Sequence, residues 1–144
     1  MKRHEAIAPL SRDHHAALIL VQLMKKNAPL YNGLPDNTED KVRYATGQFE
    51  THIRPHFQLE EAMLGKVKHI NPSIKILAEE IEAEHLVITH LFQSLEVTNN
   101  PVISMNELAV KLEDHIRKEE RVLFPLLQEQ CNETVLAEIH ELFH

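Results

Sequence analysis

The amino-acid sequence predicts an all-α protein, an antiparallel up-down-up-down four-helix bundle with a short fifth helix at its C-terminal end. Apolar residues recur at helical spacing through four long segments, and short polar or proline-containing stretches separate these segments. Runs of alternating β-branched residues are scarce, and the chain has only three glycines and no tryptophan, which argues against a sheet. We expect residues 1–144 to form a single domain.

The first two helices are delimited by cap and turn residues. Ser11 is expected to cap a first helix that runs to about Asn27. Asp36 and Glu39 have the spacing of a capping box, which predicts the start of a second helix. That helix should continue past Val67.

The remaining helices follow from the same kind of signal. Asn71 followed by Pro72 predicts the start of a third helix, which should end near residues 95–98. Ser104 with Glu107 resembles a second capping box and predicts the fourth helix.

A short amphipathic segment at about residues 133–143 forms the predicted fifth helix. Two prolines, Pro55 and Pro125, lie inside helical patterns, where a proline costs about 3 kcal/mol or more and usually kinks the helix. Either both prolines tilt or separate helices near functional residues, or Pro125 only marks a late break in the fourth helix.

The strongest functional signal is a repeated phrase, His56-x-x-x-Glu60 and His115-x-x-x-Glu119. On a helix, this spacing places the imidazole and the carboxylate on one face, one turn apart. Nitrogen and oxygen donors that converge in this way suit iron, manganese or zinc better than an apolar core. Alone such a pair is a weak signal, since surface helices often carry it as a solvated contact, but two copies on inward faces are a strong one.

An acid–histidine pair, followed by apolar residues at helical spacing, precedes each copy. The pair is Asp13-His14 before the first copy and Glu84-His85 before the second, so the sequence is interpreted as two copies of one unit. Buried carboxylates without a partner would cost several kcal/mol each, and a bound cation removes that cost. The residues predicted to face inward as metal ligands are His14, His56, Glu60, His85, His115 and Glu119.

Other polar residues near the pattern allow more than one interpretation. Asp13 and Glu84 either orient an imidazole of a neighbouring helix or are solvated residues on a helix flank. His15 is expected to be exposed or to lie just outside the site. His52 could line an access route or donate a hydrogen bond to a metal-bound ligand, and His90 should face away.

Composition excludes several function classes. A formal charge of −7 argues against nucleic acid or an anionic membrane as a partner. No apolar run approaches the roughly 18 residues that span a bilayer, and a secretory signal is not expected. The lone Cys131 fits a reducing cytoplasm. The oligomeric state and any redox partner stay unknown.

The whole pattern resembles the hemerythrin-like, or HHE cation-binding, domains, whose motifs are a lone His, His-x-x-x-Glu, a lone His and His-x-x-x-Glu. The resemblance extends from Leu10-Ser-Arg-Asp-His14 to Leu123-Phe-Pro125, and the stretch from Glu119 to Pro125 is also typical of the family.

This resemblance implies an antiparallel four-helix bundle that holds a non-haem di-iron centre, for which an oxo or hydroxo bridge is one option. One iron would be bound by His14 and His56 and the other by His85 and His115, with this pairing left open. Glu60 and Glu119 would bridge the two irons.

The chain also departs from the oxygen-carrying hemerythrins. Those proteins have a second histidine four residues after the first on the third helix, where this chain has Thr89. They use a carboxylate five residues after the fourth-helix histidine, where Glu120 stands, whereas the internal repeat favours Glu119. Four histidines and two glutamates are closer to the hemerythrin-like proteins linked to iron–sulfur cluster repair and the nitric oxide response.

Three functional classes follow. The preferred one is a redox-active di-iron protein that binds or reduces oxygen, peroxide or nitric oxide, in iron-centre repair or stress response. The second is a non-catalytic iron or oxygen sensor, or an iron-delivery protein. The third is a manganese or zinc protein of structural type, which is disfavoured because structural zinc prefers closed, often thiolate-containing sites. Whether the protein is an enzyme stays open.

Overall fold

The computed structural model describes residues 2–143, and the predicted domain limits at residues 1 and 144 lie outside them. The described chain is helical without a strand, which confirms the predicted all-α class. Seven α-helices follow one another: α1 (Ala8–Met24), α2 (Thr38–Gln48), α3 (Arg54–Val67), α4 (Pro72–Ser94), α5 (Pro101–Lys118), α6 (Phe124–Gln130) and α7 (Glu133–Leu142). Two π-helical turns, Phe49–Ile53 and Glu119–Leu123, connect α2 to α3 and α5 to α6.

Asparagine residues cap four of these helices. In each case the side-chain oxygen accepts a hydrogen bond from the backbone N–H three residues later, which satisfies a donor that the first turn leaves free. The capping residues are Asn37, Asn71, Asn100 and Asn132. The predicted Asn71–Pro72 start is therefore confirmed.

Three predicted caps are wrong: Asp36, Ser104 and Ser11. The second helix is capped one residue later than the expected Asp36, because Asn37 and not Asp36 bonds the free N–H. Ser104 lies inside α5, where its hydroxyl is 3.0 Å from that of Thr98. Asn100 and Pro101 start that helix earlier, since an asparagine cap followed by a proline in the first turn is a stronger signal.

The first helix also begins earlier than predicted. Helix α1 starts at Ala8, and Pro9 occupies its first turn, where a missing N–H costs little. Ser11 is consequently inside the helix, and its hydroxyl donates to Glu120 at 2.6 Å instead of capping. The helix ends at Met24, three residues before the expected Asn27.

Each interior proline follows a π-helical turn. Pro55 and Pro125 are both the second residue of the helix that begins after the turn. Proline has no N–H and its ring crowds the preceding turn, so a wider turn accommodates it without ending the helical path. Pro125 lies just after the π-helical break between α5 and α6, and the helical path continues beyond it to Gln130.

The hydrophobic core consists of two clusters. The first cluster combines residues of the C-terminal half of α1, of α2 and the following π-turn, of the C-terminal half of α4 and of α5 between Met105 and Ile116, together with Phe57 of α3. The second cluster combines residues 6–10 with the C-terminal half of α3, the N-terminal half of α4, and helices α6 and α7. Along the chain, His14, Glu60, His85 and Glu119 fall between residues of the two clusters, whereas residues of the first cluster flank His56 and His115 on both sides.

Six polar side chains are buried inside the described part of the protein. They are the only buried polar or charged side chains in the described range, and they are the six predicted ligands: His14, His56, Glu60, His85, His115 and Glu119. Within residues 2–143, no helix has the length and apolar character that a bilayer span requires.

Replacement of Phe92 tests the packing of the first cluster. Phe92 is 1% exposed and stacks on Phe49 with ring centroids 4.7 Å apart. We expect Phe92→Ala to lower the free energy of unfolding by about 3–5 kcal/mol, because the cavity it leaves adds to the lost burial. Urea unfolding of the metal-free protein measures this change. Val97→Ala is the control, since Val97 is 80% exposed and its loss should stay within about 0.5 kcal/mol.

Candidate metal centre

The six buried polar side chains form two overlapping groups of potential metal donors. One group contains His14 and His56 and the other His85 and His115, and both groups include Glu60 and Glu119. Within each group, one donor atom per residue lies within 4.8 Å of all the others. The structure therefore brings together every residue that the sequence singled out, in two sets that share their carboxylates.

Helical spacing places these side chains. His56 and Glu60 lie one turn apart on α3, and His115 on α5 stands in the same relation to Glu119 at the start of the π-turn. The Nε2 atom of His56 is 3.4 Å from Glu60 Oε2, and Nε2 of His115 is 3.4 Å from Glu119 Oε1. Each phrase thus directs a nitrogen and an oxygen into one space.

The lone histidines complete the arrangement across helices. His14 Nε2 lies 2.9 Å from Glu119 Oε1, and His85 Nε2 lies 2.8 Å from Glu60 Oε1. Two ligands at about 2.1 Å from one ion and at right angles to each other are about 3.0 Å apart. The separations between the donors are therefore compatible with a shared ion.

Four inward-facing atoms have no hydrogen-bond partner in the described part of the chain. They are Nε2 of His56 and His115 and Oε2 of Glu60 and Glu119. A buried polar atom without a partner costs about 1–3 kcal/mol, and more if its group is charged. Cations held by the two donor groups would bind all four atoms, so the donor set fits a metal centre.

A carboxylate binds the other ring nitrogen of each histidine. The Nδ1 distances are 3.1 Å from His14 to Glu120, 3.1 Å from His56 to Asp13, 2.8 Å from His85 to Glu61 and 2.7 Å from His115 to Glu84. A bond at Nδ1 fixes the ring so that Nε2 faces the centre.

The contacts of these outer carboxylates have the same pattern in the two units. The acid before each lone histidine, Asp13 or Glu84, contacts the second histidine of its own unit. The acid after each central glutamate, Glu61 or Glu120, contacts the lone histidine of the other unit. Asp13 and Glu84 thus orient imidazoles, which is the first of the two sequence interpretations.

Sequence reasoning missed Glu61. The signal was available, because the repeated phrase ends in two glutamates in both copies, 60–61 and 119–120.

A family model adds an independent observation. The model described as "Hemerythrin HHE cation binding domain" matches residues 5–127. The chain belongs to the hemerythrin HHE family. A search of curated proteins found no significant match, and a search of solved structures found none. The matched range contains all six buried donors of this hemerythrin domain, and α7 lies beyond it.

Glu120 has a supporting position in this hemerythrin domain. Its side chain is 30% exposed, whereas Glu119 is fully buried at the centre. Partial burial opposes ionisation, but hydrogen bonds from His14 and Ser11 and the charge of Arg3 lower the pKa of Glu120 to about 2. Arg3 also donates to the backbone carbonyl of Glu120. The geometry thus favours Glu119 over Glu120 as the central carboxylate.

Nearby carboxylates, Asp13 for His56 and Glu119 for His115 foremost, make these two histidines basic in the absence of a metal. Burial opposes their charge, but the nearby carboxylates raise the pKa of His56 and of His115 to about 10. Burial likewise disfavours the charged form of Glu119, yet His115 and His14 hold its pKa well below the usual value. A metal requires neutral imidazole, so ion binding in this domain would be coupled to proton release.

Aromatic rings close two sides of the hemerythrin site. Phe57 stacks on His85 with ring centroids 3.9 Å apart, and Phe124 stacks on His14 at 5.6 Å. Arg3 lies over the outer side of Phe124, 5.6 Å from its ring centroid. These rings restrict the histidines and keep water from their faces.

The remaining sequence candidates lie outside the centre. His15 and His90 are exposed, as expected. His52 is also exposed, but it borders a small cavity of about 30 Å³ that reaches His14, His56 and other central residues. This position agrees with an access route and not with a place among the buried donors.

Proposed function

We propose that this hemerythrin domain binds two metal ions, preferably iron, and that the di-iron centre binds or reacts with oxygen, peroxide or nitric oxide. The observation that carries the proposal is the set of four buried donor atoms without a hydrogen-bond partner in residues 2–143. Two of them are imidazole nitrogens and two are carboxylate oxygens, which is a donor set that iron and manganese accept.

The proposed ligand assignment follows the two groups. His14 and His56 bind one ion, His85 and His115 bind the other, and Glu60 and Glu119 bridge them. The two oxygens of Glu60 support a bridge, since Oε1 approaches His85 at 2.8 Å and Oε2 approaches His56 at 3.4 Å. Glu119 is within 3.4 Å of a histidine from each group.

We also propose the antiparallel up-down arrangement for the four long helical segments. The segments that contain α1 and α4 begin in the second cluster and continue into the first. The segments α2–α3 and α5–α6 begin in the first cluster and continue into the second. Successive segments that pass between the clusters in opposite senses support alternating directions.

The donor set supports iron over a structural zinc site. A structural zinc is usually closed by four ligands, often thiolates, and the single Cys131 is buried in the second cluster away from the donor groups. Each proposed ion has two histidines and shares two carboxylates, so external ligands can occupy further positions. Bound iron would supply the ligand-binding and redox chemistry, while manganese and zinc are the alternatives.

The chain's own residues prepare this site for that chemistry. The outer carboxylates hold the imidazoles in place, and Lys118 in turn donates to Glu84 at 2.7 Å. Phe57 and Phe124 limit water on two sides. Such a preorganised, largely dry centre suits either reaction with a small molecule or stable binding in a sensor or iron-delivery protein.

Metal analysis tests the two-ion proposal. We expect protein expressed in iron-replete medium to contain close to two irons per chain, because the two donor groups are both complete. Elemental analysis against protein concentration measures this ratio. A preparation that never takes up more than one metal would contradict the proposal.

Substitution of the central glutamates tests the ligand assignment. We expect Glu60→Ala or Glu119→Ala to abolish loading of two ions, because each removes a donor that both groups share. Glu120→Ala should retain both ions and weaken binding by about 10–100-fold, as expected for loss of an orienting carboxylate. Metal titration of the apo-protein measures all three, with the exposed His90→Ala as control. Equal losses in all four variants would refute the assignment.

Reactivity separates a reactive centre from a sensor. Reduced, iron-loaded protein mixed with nitric oxide or peroxide should change its visible spectrum, because the proposed irons have positions for an external ligand. Repeated turnover with excess reagent supports the reactive function. Stable, stoichiometric binding supports sensing or delivery, and the absence of any spectral change argues against both.

A further inference from the structure

The four outer carboxylates differ in what holds them. Glu120 and Glu84 are the less exposed pair, with side chains 30% and 32% exposed, and each has a basic partner besides its histidine. Asp13 and Glu61 are 55% and 43% exposed, and within residues 2–143 each forms an ion pair only with its histidine. Two central histidines are thus backed by an anchored acid, and two by an acid whose other contacts are with solvent.

Arg3 anchors the acid behind His14 and also the ring beside it. Its Nε lies 3.4 Å from Glu120 Oε1 and 3.3 Å from the hydroxyl of Ser11, which itself donates to Glu120. The guanidinium also donates to the backbone carbonyl of Glu120 and lies over Phe124, the ring that stacks on His14. One side chain before α1 therefore restrains this imidazole at its Nδ1 edge and on one face.

Lys118 has the corresponding place behind His115. Its Nζ donates to Glu84 Oε2 at 2.7 Å, while the other oxygen of Glu84 is 2.7 Å from Nδ1 of His115. Glu80, one turn earlier on α4, binds the same ammonium at 2.8 Å. Lys118 thus links α5 to α4 at the acid that orients His115.

The two anchored histidines lie beside the same central carboxylate. Nε2 of His14 is 2.9 Å and Nε2 of His115 is 3.4 Å from Glu119 Oε1. The other two central histidines lie 3.4 and 2.8 Å from Glu60, whereas His115 is 3.9 Å from it. The centre therefore has an anchored side at Glu119 and an unanchored side at Glu60.

The duplication does not account for the two basic residues. The residue that matches Lys118 in the first unit is Leu59, and the residue that matches Arg3 in the second is Ile74. Arg3 precedes α1 and Lys118 ends α5, so unrelated parts of the chain supply the same kind of support. The anchored side is consequently a feature that each unit acquired separately.

We propose that Arg3 and Lys118 are positioning residues, which fix His14 and His115 so that the Glu119 side of the centre stays in place while the Glu60 side yields when an ion enters or leaves. A histidine on the Glu60 side can turn away at low cost, because water replaces the hydrogen bond that its exposed acid loses. The inference rests on the proposed function in that these histidines are metal ligands. Each donor group then has one fixed and one movable imidazole.

The first experiment uses the metal-free protein with ¹⁵N-labelled histidines. Exchange of each ring Nδ1 proton with water, measured by NMR, reports how often the imidazole leaves its acid. In wild type, the protons of His14 and His115 should exchange more slowly than those of the other two central histidines. Arg3→Met should abolish the slow exchange at His14 alone, and Lys118→Met should abolish it at His115 alone.

Two further variants separate positioning from a general loss of structure. Lys118→Arg should retain both slow signals, because it keeps a charged donor at Glu84. Lys25→Met is the matched control, since Lys25 also pairs with an acid of another helix, Glu113 at 3.4 Å, and this acid binds no central histidine in residues 2–143. It should leave all four ring signals unchanged.

Metal affinity is the second readout, with Zn²⁺ as a diamagnetic probe that accepts the same donors. Competition with a chelator, followed at the histidine ring signals, gives the affinity of each donor group. Arg3→Met should weaken Zn²⁺ binding by about tenfold in the group of His14, and Lys118→Met by about tenfold in that of His115, as expected for a disturbed outer partner. The other group serves as the internal reference in each variant.

The results that would overturn the inference are specific. One is an unchanged ring signal of His14 in Arg3→Met or of His115 in Lys118→Met. Another is an equal loss at both histidines, or an equal loss of Zn²⁺ affinity in both groups, which indicates a merely structural role. If wild type binds no metal while the ring signals follow the expected pattern, the proposed function fails and the positioning roles stand.

Discussion

The burial of two carboxylates, Glu60 and Glu119, is the constraint on which the rest of this structure depends. Both are fully inaccessible to solvent, and an isolated buried carboxylate is unstable by many kcal/mol. Four histidines surround them, and four further acids hold the outer nitrogens of those histidines. Carboxylates and imidazoles thus alternate from the centre to the surface, and the two apolar clusters hold the helices that carry them.

This arrangement explains why the helices are interrupted where they are. The π-turn at Phe49–Ile53 ends just before His56, and the turn at Glu119–Leu123 begins at a central glutamate. A π-turn shifts the side chains that follow it around the helix axis, so the first turn affects how His56 and Glu60 face the centre, and the second affects Glu119 and the residues after it. The two interruptions occupy different positions in the two units, so the duplication is approximate in the backbone although the donors match.

Much of the site could be predicted from the sequence, because ligand spacing on a helix is a local property. His56 with Glu60, and His115 with Glu119, needed only the helical period, and the match of His14 with His85 followed from the repeat. The starts of α1, α2 and α5 were wrong, because Asn37 and Asn100 cap α2 and α5 in place of Asp36 and Ser104, and α1 begins without a side-chain cap. Glu61 and Glu120 each bind the lone histidine of the other unit, and these bonds depend on tertiary packing. No local pattern reports which helix faces which.

The hydrogen bonds between the two units also make each unit dependent on the other. Each unit orients its second histidine with its own acid, Asp13 or Glu84, but its lone histidine depends on a glutamate of the other unit. One unit alone therefore holds only half of its imidazoles in position. These hydrogen bonds are arranged as in a symmetric dimer whose two halves are joined in one polypeptide. Covalent linkage keeps the two incomplete halves at high effective concentration, and the sequence of each half can diverge independently.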